Sequence, residues 1–409
     1  MRNLPAGCRT RSKKKTVERD PFPSSATVAV AMSGGVDSSV AAALLVEKGH
    51  RVFGVTMKLW CYAGTPADER SCCSLAAIED ARAAAAKLGI PHYVVGLEDV
   101  FEQSVVRPFC LEYSRGRTPN PCVLCNSKVK FGALLDRALS LGADFLATGH
   151  YARLERDADG AAPRMRRGAD PGKDQSYALW AVPMDRLAKL IFPLGEMSKA
   201  DVRRLASDLG LSSAERPESQ DVCFVESGDC GDFVADRLSA LGIEVHAGNV
   251  VDASGKVLGS HRGLVYFTVG QRRGLGISAA DRRYVVELRP EANAVVTGEK
   301  RDLLSREFTC AGLSWLGGAG KRLPMRALAQ VRYTHQAAPA LVEELSPRPT
   351  QTLRVTFETA QSAITPGQSA VFYDGDVVLG GGLIDTVTRP GRKKEECAQE
   401  GSNPQPSDP

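Results

Sequence analysis

The chain has 409 residues, 43% of them hydrophobic, and a formal net charge of +4. That length predicts two or three domains rather than one core, and the small basic excess allows a polyanionic partner without demanding one. No apolar run approaches the roughly 18 residues of a membrane span. The basic start MRNLPAGCRTRSKKK lacks the apolar stretch of a secretory signal, so the 11 cysteines read as reduced thiols of a cytoplasmic protein.

Residues 1–26 are basic and aperiodic and read as a disordered extension. From Thr27 the runs TVAVAM, SSVAAALLVEKG, HRVFGVTMKLW, SLAAIEDARAAAAKLG, PHYVVGL and ALLDRALSLGADFLATGH alternate β-branched segments with Ala- and Leu-rich ones. The latter stop at Gly49, Gly89 and Gly142, and glycine suits a helix C-terminus. This alternation predicts an α/β domain over 27–210, a parallel sheet with helices on both faces, closed by a helix near 201–210. Pro217 marks a boundary, and 211–286 reads as a mixed α/β segment rich in Gly and Arg. Over 287–388, alternating strands with turns at Pro366-Gly367 and Asp374-Gly375 predict an antiparallel barrel. The tail 389–409 has too little apolar content to fold.

The stretch AMSGGVDSSVAA follows the first strand and opens a helix, where backbone N–H groups and the helix dipole converge on an anion. Gly34 and Gly35 allow close backbone approach to phosphate oxygens, and Ser33, Ser38 and Ser39 add hydroxyls. The Lys of a Walker A loop and the GxGxxG spacing are both missing. SGGVDSS instead resembles the pyrophosphate loop of the ATP pyrophosphatase superfamily. That resemblance implies ATP cleaved between its α and β phosphates, with Asp37 holding Mg²⁺ or positioning the phosphates.

The thiols suggest what attacks next. Cys122 and Cys125 form a CxxC in GRTPNPCVLCNSKVKF, ahead of a helix, where a thiol beside lysines becomes a better nucleophile or sulfur carrier. Cys223, in ESQDVCFVESGD, is a second candidate, since two distant thiols permit attack and resolution by exchange. Cys110, Cys230, Cys310 and Cys397 read as small hydrophobes. Cys61, Cys72, Cys73, Cys122 and Cys125 could also supply thiolates to zinc or an iron–sulfur cluster, although vicinal Cys72-Cys73 is poor ligand geometry and only one CxxC is present.

Along the chain, SGGVDSS, GVTMKLW, GRTPNPCVLCNSKVKFG, ATGHYAR, GKDQSYALW, ESQDVCFV, HRGLVYFTVGQRRGLGI, VRYTHQAAPA and ITPGQSAVFYDGDVVLGGG together resemble the bacterial tRNA-specific 2-thiouridylase family over about 27–384. The resemblance implies an ATP-dependent tRNA-uridine 2-sulfurtransferase that replaces O2 of the wobble uridine in the tRNAs for Lys, Glu and Gln. It puts the nucleophile on Cys125 and the persulfide on Cys223. ATP would be bound by Ala31, Met32, Ser33, Gly34, Gly35, Val36, Asp37, Ser38, Met57 and Gly149. The target base would meet Asn120, Pro121 and Cys122, and tRNA would meet His150, Lys173, Asp174, Gln175, Arg332, Tyr333 and Gln368. A persulfide donor, either a cysteine desulfurase or a sulfur relay protein, is the implied partner. On residue types alone, Lys173 and Asp174 also read as a solvated ion pair, and Arg272, Arg273, Arg282 and Arg283 as a basic cluster suited to phosphates.

Some members of that family carry Asp where this chain has Cys122, so Cys122 could share the role given to Cys125. Two other readings stand beside the persulfide relay. One is a cluster held by Cys122 or Cys125 with Cys223, using exogenous sulfide. The other is a different pyrophosphate-loop adenylating ligase, which needs no paired thiols. A non-catalytic RNA-binding or metal-storing protein would bind ATP without releasing pyrophosphate.

Overall fold

The computed structural model describes residues 26–59, 75–156, 163–211, 222–225, 229–277, 282–317, 320, 323–347 and 351–389. The expectations for the two chain ends, Pro217, Cys61, Cys72, Cys73 and Cys397 lie outside these residues.

Strands β1 (Thr27–Ala31), β2 (Arg51–Lys58), β3 (His92–Gly96) and β4 (Phe145–Thr148) belong to one sheet. A hairpin of β5 (Ala152–Glu155) and β6 (Arg164–Arg167) leaves it before β7 (Leu190–Ile191) returns to it. The order is β3-β2-β1-β4-β7, with every pairing parallel. Central β1 is apolar from Val28 to Ala31 because both its faces are covered. Val28 and Val30 join helices Val36–Glu47 and Leu75–Lys87 in one core, whereas Ala29 faces a second core built on residues 97–138. Gly49, Gly89 and Gly142 have φ of 84°, 68° and 90°, as expected of residues just past a helix end.

Two long helical runs cover that second face. One joins Glu98–Phe101, a π segment Glu102–Val106 and Arg107–Ser114; the other joins Pro121–Leu124, a π segment Cys125–Leu134 and Leu135–Ser140. The apolar SYALW looks strand-like in sequence, but Ser176–Ala178 is a 3₁₀ turn. Its apolar side chains face the core, where Tyr177 and Trp180 reach Ser369 of the barrel through a 2.8 Å and a 3.0 Å hydrogen bond.

The central unit holds helix Cys230–Ala240 and a four-stranded sheet of β8 (Gly248–Val251), β9 (Val257–His261), β10 (Tyr284–Arg289) and β11 (Ala294–Gly298), in the order β10-β11-β8-β9. The division expected at 286/287 falls inside β10, whose partner β11 belongs to this sheet. Strands β12 (Leu304–Trp315), β13 (Met325–Gln330), β14 (Ala338–Ser346), β15 (Thr352–Ser362), β16 (Ser369–Asp374) and β17 (Val377–Thr388) run antiparallel in the order β12-β15-β14-β13-β16-β17. Pairing of β12 with β17 closes them into a six-stranded barrel around Phe308, Phe357 and Phe372. The turns at Gly367 (φ 90°) and Gly375 (φ 57°) sit where the sequence placed them. The β5–β6 hairpin of the first domain extends the barrel sheet by pairing Arg166 with Val377. Among the described residues no helix is long and apolar enough to cross a membrane.

Candidate active site

The SGGVDS loop sits between β1 and helix Val36–Glu47, at the C-terminal ends of the parallel strands, where open α/β sheets bind their ligands. Ala31 and Met32 leave β1, Met57 is the last residue but one of β2 and Gly149 follows β4, so the expected nucleotide contacts converge on one edge. Gly34 adopts φ 75°, and a Cβ there would lie 2.4 Å from the Ala77 carbonyl oxygen. A Cβ on Gly149 would stand 2.8 Å from Asp37 C and from Ser38 N, so the two loops touch backbone to backbone. The hydroxyls of Ser38 and Ser39 donate to the Gly35 carbonyl at 3.0 and 3.1 Å, and Ser38 Oγ accepts from Ser33 N. These two serines therefore shape the loop first.

Asp37 is the centre of the site's charge. Lys199 Nζ donates to its two carboxylate oxygens at 2.8 and 2.7 Å, and Tyr151 Oη donates at 2.7 Å. Neither partner was picked out from the sequence. A signal was present: Lys199 is the first residue of helix Lys199–Asp208 after the N-cap Ser198. A cation at a helix N-terminus opposes the dipole, so it needs an anion nearby. The Lys199 amide is held by Asp170 Oδ2 at 3.0 Å.

Asn120 caps the thiol helix, its side chain accepting from Cys122 N at 3.1 Å, and Pro121 fills the first turn, where no N–H is missed. Cys122 is exposed and Cys125 half-buried, three residues apart and so on one helical face. Two contacts tie this helix to its neighbours, the first to the nucleotide edge and the second to the 3₁₀ turn Ser176–Ala178. Phe131 packs at 5.6 Å on His150, the residue after Gly149, and Asn126 Nδ2 donates to the Ala178 carbonyl at 3.1 Å.

Cys223 is exposed in the short described stretch 222–225. Its neighbour Phe224 is wedged among Phe101, Phe109 and Phe233 at 5.6, 5.2 and 5.5 Å. Cys125 packs against the same apolar cluster, and helix Pro121–Leu124 lies on the π segment Glu102–Val106, so both candidate thiols are fixed to one helical platform. Cys110 and Cys310 are buried as expected of small hydrophobes, and burial pushes the Cys110 thiol up to about 12.

The expected tRNA contacts divide. Tyr333 is 48% exposed and its ring lies 6.2 Å from Tyr177. His150 packs against Phe131 and Phe192, with Nδ1 2.7 Å from Thr148 Oγ1; desolvation and then Lys130 hold it well below its usual pKa, so it is neutral at pH 7. Asp174 is not solvated. It accepts from Gly168 N, Ser176 N, Ser176 Oγ and, at 2.9 Å, Arg167 Nη1. Arg167 also donates to Gln330 Oε1 at 3.0 Å and stacks on Tyr373, while Gln330 Nε2 donates to the carbonyls of Arg332 and Tyr333. Gln175 Oε1 accepts from Tyr151 N, and the backbone of Lys173 closes a turn onto Asp170. Gln368 Nε2 donates to the Thr118 carbonyl at 2.7 Å. Asp174, Gln175 and Gln368 thus hold protein loops in place.

Three family models match in chain order: a tRNA methyl transferase HUP domain over 26–227, a tRNA methyl transferase PRC-barrel domain over 232–299 and an aminomethyltransferase beta-barrel domain over 305–384. The tRNA-specific 2-thiouridylase MnmA of Acetivibrio thermocellus is 45% identical over 359 residues, covering 87% of this chain and 98% of that protein. The chain belongs to the tRNA-specific 2-thiouridylase family. MnmA of Magnetococcus marinus, another member, is 48% identical over 358 residues, 87% of this chain and 98% of its own. Among solved structures, the U34-tRNA thiolase NcsA of Methanococcus maripaludis with its 4Fe-4S cluster is 20% identical, covers 53% of this chain and 66% of its own, and has a TM-score of 0.31.

Proposed function

We propose that this member of the family thiolates tRNA at C2 of the wobble uridine in the tRNAs for Lys, Glu and Gln, activating O2 with ATP and replacing it with sulfur from a cysteine persulfide. The observation that supports this reading most is the helix carrying Cys122 and Cys125, whose Phe131 packs on His150 beside the Gly149–Asp37 contact. One rigid element thereby joins the adenylating loop to the thiols.

In the first half-reaction uridine O2 attacks the α-phosphate and pyrophosphate leaves. The SGGVDS backbone and Gly149 bind the phosphates, and Lys199 supplies the cation that a Walker lysine would give. Mg²⁺ bound with ATP would neutralise phosphate charge, and Asp37, which accepts from Lys199, would be the carboxylate to hold it. The target uridine leaves its stack to meet both loop and thiol, with Asn120, Pro121 and Cys122 around it.

In the second half-reaction the terminal sulfur of the Cys223 persulfide attacks C2 and AMP leaves with the former O2. The Cys125 thiolate then attacks the Cys223 sulfur, releasing 2-thiouridine and forming a Cys125–Cys223 disulfide. A thiol reductant restores the pair, and a cysteine desulfurase or relay protein reloads exposed Cys223. This sulfur step uses the two thiols alone. A reaction on tRNA with ATP suits a cytoplasmic protein.

The test supplies ATP, Mg²⁺, a persulfide donor and unthiolated tRNA to the anaerobic protein, with nucleosides read by mass spectrometry. Thiouridine together with released pyrophosphate supports the reading. Pyrophosphate without thiouridine assigns the loop correctly and rejects the acceptor chemistry.

A further inference from the structure

Immediately before the thiol helix, the chain is gripped by the C-terminal barrel. Thr118 N donates to the Pro366 carbonyl at 2.9 Å and the Thr118 carbonyl accepts from Gln368 Nε2 at 2.7 Å, so both backbone groups of one residue are fixed from across the molecule. The fit leaves no space: Gly367 has φ 90°, and a Cβ there would lie 2.9 Å from Thr118 N and 3.0 Å from Arg117 Cβ.

Arg117 completes the grip with all three guanidinium nitrogens. Nε donates to Glu112 Oε2 at 2.8 Å, Nη1 to Asp385 Oδ1 at 2.9 Å and Nη2 to the Ile384 carbonyl at 2.9 Å. Ile384 N in turn donates to the Gln368 carbonyl at 2.8 Å, which closes the assembly. A planar fork can make such divergent bonds at fixed angles, and an ammonium cannot. Only Pro119, Asn120 and Pro121 separate Thr118 from Cys122, and the two prolines have fixed φ, so displacement of the grip passes on to the helix start with little slack.

We infer that Arg117 is a positioning residue and that the barrel, through Arg117, Asp385 and Gln368, sets where the Cys122–Cys125 turn stands. The effect on turnover rests on the proposed role of Cys125; the effect on geometry does not. A phosphate-binding role for Arg117 makes a different prediction, because lysine would serve there and the loss would fall on RNA affinity.

The experiment uses full-length Arg117→Lys, Arg117→Ala, Asp385→Ala and the Arg117→Ala/Asp385→Ala double variant. Single-turnover thiolation at saturating tRNA, tRNA affinity, and iodoacetamide labelling of Cys125 relative to Cys223 are read on each. Expected are rates between about tenfold and about a hundredfold lower in all of them, unchanged tRNA affinity, a severalfold shift in the labelling ratio, and a double variant no slower than Arg117→Ala. A normal rate with an unchanged labelling ratio in Arg117→Lys, weaker RNA binding at an unchanged ratio, or an unchanged labelling ratio in all the variants overturns the inference. A shifted ratio at normal rate supports the grip and removes Cys125 from the thiolation scheme. If Arg117→Ala does not fold, Asp385→Ala, which leaves the Arg117–Glu112 pair intact, decides the matter.

Discussion

Lys199 Nζ lies 2.7 Å from Asp37, a contact that brings together residues 162 positions apart and puts a cation into a phosphate loop whose own sequence has none. In the proposed reaction Asp37 would turn to the metal of the nucleotide and Lys199 to a phosphate oxygen.

Lys199→Ala is expected to lower tRNA-stimulated pyrophosphate release by about a hundredfold to a thousandfold, as loss of a preorganised charge contact does. Tyr151→Phe removes one hydrogen bond from Asp37 and costs about 0.5 to 1.5 kcal/mol. Pyrophosphate assays and thermal melts of the two variants check both values.

Gly149→Ala pushes a methyl group to within 2.8 Å of Asp37 and Ser38 backbone atoms. Overpacking of about 1 to 3 kcal/mol should weaken ATP binding by about fivefold to a hundredfold. Direct ATP titration of the variant measures it.

His150 gives stability a pH dependence. Its folded-state pKa is depressed, so below about 6.5 the unfolded chain takes up a proton that the folded chain refuses. Stability from this group is complete above that pH and falls on acidification, by at most about 1.4 kcal/mol per pH unit. Melting curves between pH 5 and 7 should show a shallower slope for His150→Asn.

Phe224→Ala leaves a cavity among Phe101, Phe109 and Phe233 costing about 3 to 5 kcal/mol. It should loosen Cys223 selectively: thiouridine formation falls while pyrophosphate release stays near normal. Comparing the two rates in one preparation tests this.

Asp174→Asn strips Arg167 of its carboxylate at a site where the Asp174 side chain is 8% exposed. A loss of about 1 to 3 kcal/mol in folding stability is expected. Thermal melting should therefore register the change, with tRNA affinity following only as far as the Arg332–Tyr333 turn is disturbed.

The parallel sheet was legible because buried strands and alanine-rich helices differ in period and length, and because Gly49, Gly89 and Gly142 punctuate them. The place of the SGGVDS loop between β1 and its helix was legible for a related reason: its residues are contiguous. Lys199 and Tyr151 were not, since their significance depends on a carboxylate reached only after folding. Asp174 and Gln368 illustrate the converse. Both read as ligand contacts in their motifs, and their protein partners, Arg167 and the Thr118 carbonyl, are reached only after folding. The end of the central unit was misplaced because β10 and β12 share one texture, and only the pairing of β10 with β11 separates them.

In the proposed reaction Cys223 hands sulfur to an ATP-activated uridine and Cys125 resolves the bond. The most direct measurement is one turnover of the Cys125→Ser variant with ATP, a persulfide donor and unthiolated tRNA, followed by denaturing electrophoresis and peptide mapping. The account predicts a covalent RNA–protein adduct through Cys223 that a thiol reductant splits to give 2-thiouridine. Free 2-thiouridine at the normal rate with no adduct, or an adduct through any other cysteine, would contradict it.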